Sequence, residues 1–287
     1  MTNLSARSTA SIATRPMESP MPTDTAKTLD AVHKSYQDHG FAIVPEPVVE
    51  ADLIARVRDD IPRIINGDYP TGRAPFQRHW NPGDDPNTFV KIDQVHGCSE
   101  AMMELVHHAE IGRYAAAATG ADMVQMWASQ MIIKPSTPGS ISTALGWHQD
   151  DLYWQHSWDG ELFTCWVAIA DVAPNSGPVR YVAGSHRWPV AQEADFRDHD
   201  LVALRERLSL PDDAQWDDDH AAVLPAGGIA FHHKRTMHAS DPNSSGSPRM
   251  GFILHLRTER ATPRAGVSEM FGCDLDDDRS APILFRR

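Results

Sequence analysis

The short sequence His148-Gln149-Asp150 constrains this chain more than any other stretch. In an extended strand, side chains two residues apart leave the same face. His148 and Asp150 would then offer one imidazole and one carboxylate to a single point. The pattern therefore predicts a strand that presents two ligands to a metal ion.

A third ligand has three candidates, His232, His233 and His238, in and after a strand pattern that starts at Ile229. His232 and His233 are adjacent, so they point to opposite faces of a regular strand and cannot both bind one metal. Two histidines and one carboxylate on one face of an octahedral metal leave three positions free. This arrangement is typical of non-haem Fe(II) oxygenases.

Arg249 begins a second strong strand pattern, which continues to Leu256. An arginine that points into a protein interior needs an anionic partner, and its planar fork suits a carboxylate. The sequence thus places a candidate anion-binding residue near the candidate metal ligands.

Composition excludes several classes of protein. The chain has 287 residues, 41% of them hydrophobic, which is enough to bury a sizeable core. Its net charge of -13 argues against a nucleic-acid partner, because such proteins usually carry a clustered basic face. No stretch is long and apolar enough to predict a membrane span. Three widely spaced cysteines favour a reducing compartment, and we expect a cytoplasmic protein.

The sequence predicts a disordered leader at residues 1–26 and a single domain at residues 27–287. The leader is rich in Ser, Thr, Pro and Met and lacks periodicity. Many short strands with Pro/Gly turns follow N-terminal helices, which predicts a mainly β double-stranded β-helix, a jelly-roll barrel of the cupin kind. Helices are expected at 25–39, 49–65 and 104–120, a loop at 67–98, and strands at 41–44, 123–134, 162–171, 179–182, 229–233 and 249–256.

Several motifs together resemble phytanoyl-CoA dioxygenase-type oxygenases, which depend on Fe(II) and 2-oxoglutarate. The motifs are His148-x-Asp150, the segment 166–171 leading to Asn175-Ser176-Gly177, Gly184-Ser185-His186, and His238-x-Ser240 with Arg249. The resemblance covers residues 30 to 260 and is strongest from Lys134 to Arg249.

The resemblance implies a role for each matching residue. Only His238 stands at the family's spacing before Arg249, so it is the expected third ligand of Fe(II) beside His148 and Asp150. Arg249 and Ser240 would hold the far carboxylate of 2-oxoglutarate. Further residues expected to contribute to the cosubstrate pocket are Trp166, Lys134 and Gln149.

The implied reaction uses O2 to hydroxylate an unactivated C–H bond of a small-molecule metabolite, with release of succinate and CO2. Two alternatives remain at this point. One is a cupin-type metal enzyme that does not use 2-oxoglutarate, and the other is a barrel that binds a small molecule without catalysis. The sequence selects no substrate, and the acidic segment 191–220 is either a solvated surface or a cover over the barrel mouth.

Overall fold

The computed structural model of the chain describes residues 23–265 and 272–287. Residues 1–22 of the predicted leader lie outside the described residues, and the first helix begins at Thr23. None of the helices in the described part is both long enough and apolar enough to cross a membrane.

The elements follow one another along the chain as short strands between helices. The helices are α1 Thr23–His39, α2 Ala51–Ile65, α3 Glu100–Val106, α4 Ala109–Thr119, α5 Asp151–Trp154 and α6 Leu201–Arg207. The strands are β1 Phe41–Val44, β2 Gln77–Arg78, β3 Val90–Asp93, β4 Met123–Lys134, β5 Leu145–His148, β6 Trp158–Asp159, β7 Leu162–Ala168, β8 Val179–Tyr181, β9 His220–Ala221, β10 Ile229–His233, β11 His238–Ser240, β12 Arg249–Thr258, β13 Thr262–Pro263 and β14 Ile283–Arg286.

Two antiparallel sheets form the body of the fold. The larger sheet has the strand order β1-β10-β7-β12-β4-β3-β2, and β14 also pairs with β4. The smaller sheet has the order β5-β11-β8-β9. Apolar side chains from both sheets, such as Trp166, Tyr181 and Ile253, pack together in one buried cluster between them. The fold is therefore the predicted double-stranded barrel.

Alternation along the strands decides which side chains enter the barrel. In β12, Phe252 and Leu254 belong to the core that also contains side chains of α1 to α4. Arg249 and Ile253, on the opposite face, line a cavity between the sheets, and so does Trp166 of β7. The helices thus cover the outer face of the larger sheet, and the smaller sheet covers its inner face.

Two predicted elements were wrong in detail. The helix predicted at residues 104–120 is two helices, α3 and α4, which are separated at His107 and His108. The loop predicted at 67–98 contains β3, which pairs with β4 through the register Val90 to Ile133. The Pro/Gly-rich sequence before Val90 concealed this short strand, because β3 has only four residues over which alternation can show.

Candidate metal and anion site

His148, Asp150 and His238 converge at one end of the cavity. One ligand atom from each lies within 4.8 Å of the others. β5 and β11 are antiparallel neighbours in which His148 is the direct partner of His238. The Nε2 atoms of both imidazoles lie 3.8 Å from Asp150 Oδ1. This trio could hold one metal ion.

The prediction that His148 and Asp150 converge because they share one face of a strand was wrong. β5 ends at His148, and Asp150 has helical torsion angles of φ -57° and ψ -33° at the start of α5. The two side chains therefore do not share one face of a strand. Asp150 reaches the site because the chain turns from strand into helix, with the Tyr153 and Trp154 N–H groups donating to the Asp150 carbonyl.

Hydrogen bonds fix the orientation of both imidazoles. His148 Nδ1 lies 2.7 Å from the Gly146 carbonyl, and His238 Nδ1 lies 2.9 Å from the Thr236 carbonyl. Because a carbonyl only accepts, each Nδ1 carries the proton and each Nε2 keeps its lone pair for a metal. Burial also lowers the pKa of both histidines, which favours the neutral form that binds metals.

The second oxygen of Asp150 is held by two neighbours. Thr164 Oγ1 donates to Asp150 Oδ2 over 2.9 Å, and His232 Nε2 lies 3.2 Å from the same oxygen. His255 Nδ1 in turn lies 3.1 Å from Thr164 Oγ1. Burial alone would raise the pKa of Asp150, but the bond from His232 and the nearby imidazoles, first of them His238, bring it below its usual range. The carboxylate is thus kept ionised and oriented.

Sequence reasoning treated His232 only as a rival ligand and missed its contact with Asp150. Alternation in β10 indicates only that His232 and Ala230 share a face, whereas the pairing of His232 with Thr164 of β7, which brings it to Asp150, appears only in the structure. Replacing His232 with leucine is expected to weaken metal binding about tenfold, because outer partners of ligands typically contribute 10- to 100-fold. Equilibrium dialysis with Fe(II) measures this, and unchanged affinity would contradict the role.

Arg249 is a buried cation with few partners, 1% exposed at the other end of the cavity. Its Nη1 donates to the Gly177 carbonyl over 2.5 Å, while its Nε has no hydrogen-bond partner among the described residues. No carboxylate of the described residues lies within ion-pair distance of it. Burial lowers the pKa of Arg249 to about 10, still well above neutrality. A buried, unpaired guanidinium is costly, so this site is suited to an anion.

Ser240 and Lys134 lie beside Arg249 but differ in position. Ser240 lines the cavity, and its Oγ accepts a hydrogen bond of 2.6 Å from Lys134 Nζ. The Ser240 hydroxyl can therefore direct its own hydrogen into the cavity. Lys134 is fully buried behind it and also donates to the Asp241 carbonyl. Burial, and then the charge of Arg249, lower the pKa of Lys134 well below its usual value.

Trp166 lies beside the guanidinium, whereas Gln149 faces elsewhere. The Arg249 guanidinium carbon is 5.3 Å from the centre of the Trp166 ring. A Cβ at Gly251 would approach the indole to 2.4 Å, so glycine makes room for the ring. Gln149 Nε2 donates to the Arg235 carbonyl over 2.8 Å, and its Oε1 accepts from Ala191 N. Gln149 thus holds the loops at Arg235 and Ala191 in place. It does not line the cavity, although it was predicted to contribute to the cosubstrate pocket.

The cavity between the metal ligands and Arg249 has a volume of about 90 Å³. Its chemistry fits the predicted metal and cosubstrate. Two imidazoles and one carboxylate suit a divalent iron and leave coordination positions open. At the opposite end, Arg249, which pairs with no carboxylate of the described residues, and the Ser240 hydroxyl suit the second carboxylate of a short dicarboxylic acid.

A second, outer cavity of about 250 Å³ adjoins the metal ligands. His148 and Asp150 line both cavities, and the outer one extends to Tyr153 and Phe196. Residues 195–198 form part of its wall by packing directly on β5. Gly146 permits this contact, because a Cβ there would lie 2.1 Å from the Asp195 carbonyl oxygen.

A buried ion cluster lies directly behind the metal ligands. Asp151, which is 1% exposed, follows Asp150 in the chain. Its carboxylate lies 2.9 Å from Lys234 Nζ and accepts a 2.8 Å hydrogen bond from Arg235 Nε. The Asp151 N–H also donates to the Lys234 carbonyl. The cluster therefore ties the turn that carries Asp150 to the loop that leads to His238.

Comparisons with known proteins agree with this geometry. The sequence profile of the family described as phytanoyl-CoA dioxygenase (PhyH) matches residues 36–251. A probable alpha-ketoglutarate-dependent hypophosphite dioxygenase from Stutzerimonas stutzeri is 22% identical, over 81% of this chain and 80% of the relative. An ectoine dioxygenase from Bordetella parapertussis is 26% identical, over 82% of this chain and 78% of the relative.

Solved structures share the fold. The epimerase SnoN, crystallised with Fe3+, alpha ketoglutarate and nogalamycin RO, superposes with a TM-score of 0.66 at 21% identity, and the match covers 90% of this chain and 99% of that one. The predicted jelly-roll fold, the enzyme class and its dependence on iron and 2-oxoglutarate are confirmed by these matches together. With a profile match over most of its length, the chain belongs to the phytanoyl-CoA dioxygenase (PhyH) family.

Proposed function

We propose that this enzyme hydroxylates an unactivated C–H bond of a small-molecule metabolite, with Fe(II) held by His148, Asp150 and His238. The observation that carries the proposal is the buried guanidinium of Arg249, which has no carboxylate partner among the described residues and lies in the same cavity as the three ligands. A metal site alone would not need this buried cation. A metal site that must also hold a keto acid with a second carboxylate needs such a cation to bind that carboxylate.

The chain's own residues position the reactants. Arg249 and Ser240 hold the far carboxylate of 2-oxoglutarate, and Trp166 packs beside it. Iron with 2-oxoglutarate and O2 supplies the oxidising power, and the cosubstrate leaves as succinate and CO2. Asp150 is kept in one orientation by Thr164 and His232, which bind its Oδ2, so its Oδ1 would be available to a metal between His148 and His238. The barrel walls exclude bulk water from this centre.

The two alternatives from the sequence are not favoured. A metal enzyme without 2-oxoglutarate would need the three ligands but not Arg249, and a binding barrel would need neither. The decisive experiment incubates the protein with Fe(II), 2-oxoglutarate, O2 and a metabolite library, and measures succinate and oxidised products by mass spectrometry. Consumption of O2 without succinate would support the first alternative, and no turnover at all would support the second.

Replacing Arg249 with alanine is expected to raise the apparent dissociation constant of 2-oxoglutarate at least about thirtyfold. Loss of one partner of a buried, hydrogen-bonded charge pair typically costs about 2 to 5 kcal/mol. Arg249→Lys would restore only part of the affinity, since lysine lacks the planar fork.

The matched control is Arg257→Ala, in the same strand. Arg257 donates to Gln125 Oε1 and the Ala261 carbonyl and does not line the cavity. Titration of 2-oxoglutarate into the anaerobic Fe(II) protein distinguishes the two variants. Equal affinities in both would show that Arg249 does not hold the cosubstrate.

The proposed setting is a reducing cytoplasm with a small-molecule substrate and no nucleic-acid or membrane partner. Cys98, Cys165 and Cys273 are all buried and free, as suits a reducing compartment. The net charge of -13 supports the absence of a nucleic-acid partner.

A further inference from the structure

The outer cavity differs from the inner one in the charges that line it. Its described lining contains two cationic side chains, Lys91 and Arg197, and one acid, Asp150, which is an expected metal ligand. Lys91 is already compensated, because its Nζ lies 3.4 Å from the buried carboxylate of Asp93. Arg197 has no carboxylate of the described residues within ion-pair distance. Arg197 is an exposed residue, so at the edge of the cavity it offers a solvated positive charge that no carboxylate of the described residues pairs with.

Aromatic rings stand next to this charge. The Arg197 guanidinium lies 5.1 Å from the centre of the Phe196 ring. Phe196 packs edge to face on Tyr153, with ring centres 5.4 Å apart, and its ring is 5.9 Å from that of His148. The Tyr153 hydroxyl accepts a hydrogen bond from the Phe196 backbone N–H. The rings thus form an apolar wall that runs from the metal ligands to Arg197.

Gln130 supplies an independent observation. It is 8% exposed, alternation in β4 directs it inward, and it lines both cavities. Among the described residues, nothing forms a hydrogen bond with its side-chain amide. The amide lines both cavities beside the metal ligands and can therefore form hydrogen bonds with a polar group on a ligand.

We propose that the substrate is a small organic anion whose acidic group pairs with Arg197, whose body lies against Phe196 and Tyr153, and whose polar atoms bind Gln130. This inference rests on the proposed function, since it takes the outer cavity as the substrate site. At about 250 Å³ the cavity lies below the usual range for drug-sized ligands, so the substrate is small. A cationic substrate would stack on the same rings but meet the charge of Arg197.

The test uses three matched fragments: phenylacetate, phenylacetamide and phenethylamine. Each is titrated calorimetrically into anaerobic protein loaded with Fe(II) and saturating 2-oxoglutarate, so that Arg249 is already occupied. Phenylacetate is expected to bind about fivefold more tightly than the amide, the upper range for a partly exposed ion pair. Equal binding of acid and amide, or tighter binding of the amine, would overturn the proposal.

Three variants show which residues produce the preference for phenylacetate over phenylacetamide. Arg197→Gln should remove it, whereas Arg205→Gln should keep it, because Arg205 stacks on Trp216 on the same segment but outside the cavity. Gln130→Glu, which adds a carboxylate to the cavity, should weaken phenylacetate binding and leave phenylacetamide less affected. If Arg197→Gln and Arg205→Gln behave alike, Arg197 does not recognise the anion. The titration of 2-oxoglutarate into the Arg249 and Arg257 variants tests the proposed function separately. A failure of the proposed anion site can therefore be told apart from a failure of the proposed function.

Discussion

Replacing His238 with alanine is expected to lower turnover more than about 100-fold. Loss of an outer partner of a metal ligand costs about 10- to 100-fold, and removing the ligand itself must cost more. His238 Nε2 faces the same point as Asp150 and His148, and its Nδ1 is already committed to the Thr236 carbonyl. Alanine would leave two ligands and therefore a weakly held metal.

The matched control is His233→Gln. His233 is adjacent to His232 in β10, points to the other side of the sheet and is absent from the cavity lining. Metal content after dialysis and succinate formation are measured for both variants. Full activity of His238→Ala together with loss in His233→Gln would mean that the third ligand has been misassigned.

The Asp151→Asn variant is expected to lower the free energy of unfolding by about 3 kcal/mol. Breaking a buried ion pair by removing one partner typically costs about 3 to 5 kcal/mol, because the other charge stays buried. The Lys234 side chain is only 10% exposed, so it cannot easily regain water. Metal affinity should fall as well, since Asp151 ties the turn of Asp150 to the loop before His238.

Urea unfolding of the metal-free protein measures the stability change. Asp159→Asn is the control, because Asp159 pairs with Arg264 at the surface, where both side chains are about half exposed or more. Exposed pairs contribute about 0 to 1 kcal/mol. Similar losses for the two variants would show that the Asp151 cluster has no special stabilising role.

The sequence alone predicted the long strands because their alternation is a local property. β4 and β12 were predicted nearly to the residue. β3 was missed because a four-residue strand gives little periodicity. The side chains of His148 and Asp150 do converge, but the sequence predicted this for the wrong reason, since a local pattern does not show where a strand turns into a helix. Their role as metal ligands stays a prediction.

Contacts between distant strands could not be predicted in the same way. Lys134 donates to Ser240 across 106 positions of sequence, and His232 reaches Asp150 across 82. Such pairs depend on register between strands that no single segment encodes. Gln149 was predicted to contribute to the cosubstrate pocket. Its side chain instead binds the backbone of two loops, at Arg235 and Ala191.

Residues 195–198 are attached to β5 at Gly146 through their backbone, whereas a ligand in the outer cavity would meet the side chains of Phe196 and Arg197. At position 146 the attachment is backbone against backbone: the Gly146 N–H donates to the Phe196 carbonyl, and the Asp195 and Asp198 carbonyls occupy the place of a Cβ. The Phe196 ring adds a contact with Tyr153. During divergence, substitutions at 197 could therefore change substrate preference while the segment keeps its anchorage, whereas a side chain at 146 would meet the Asp195 and Asp198 carbonyls and displace the whole wall at once.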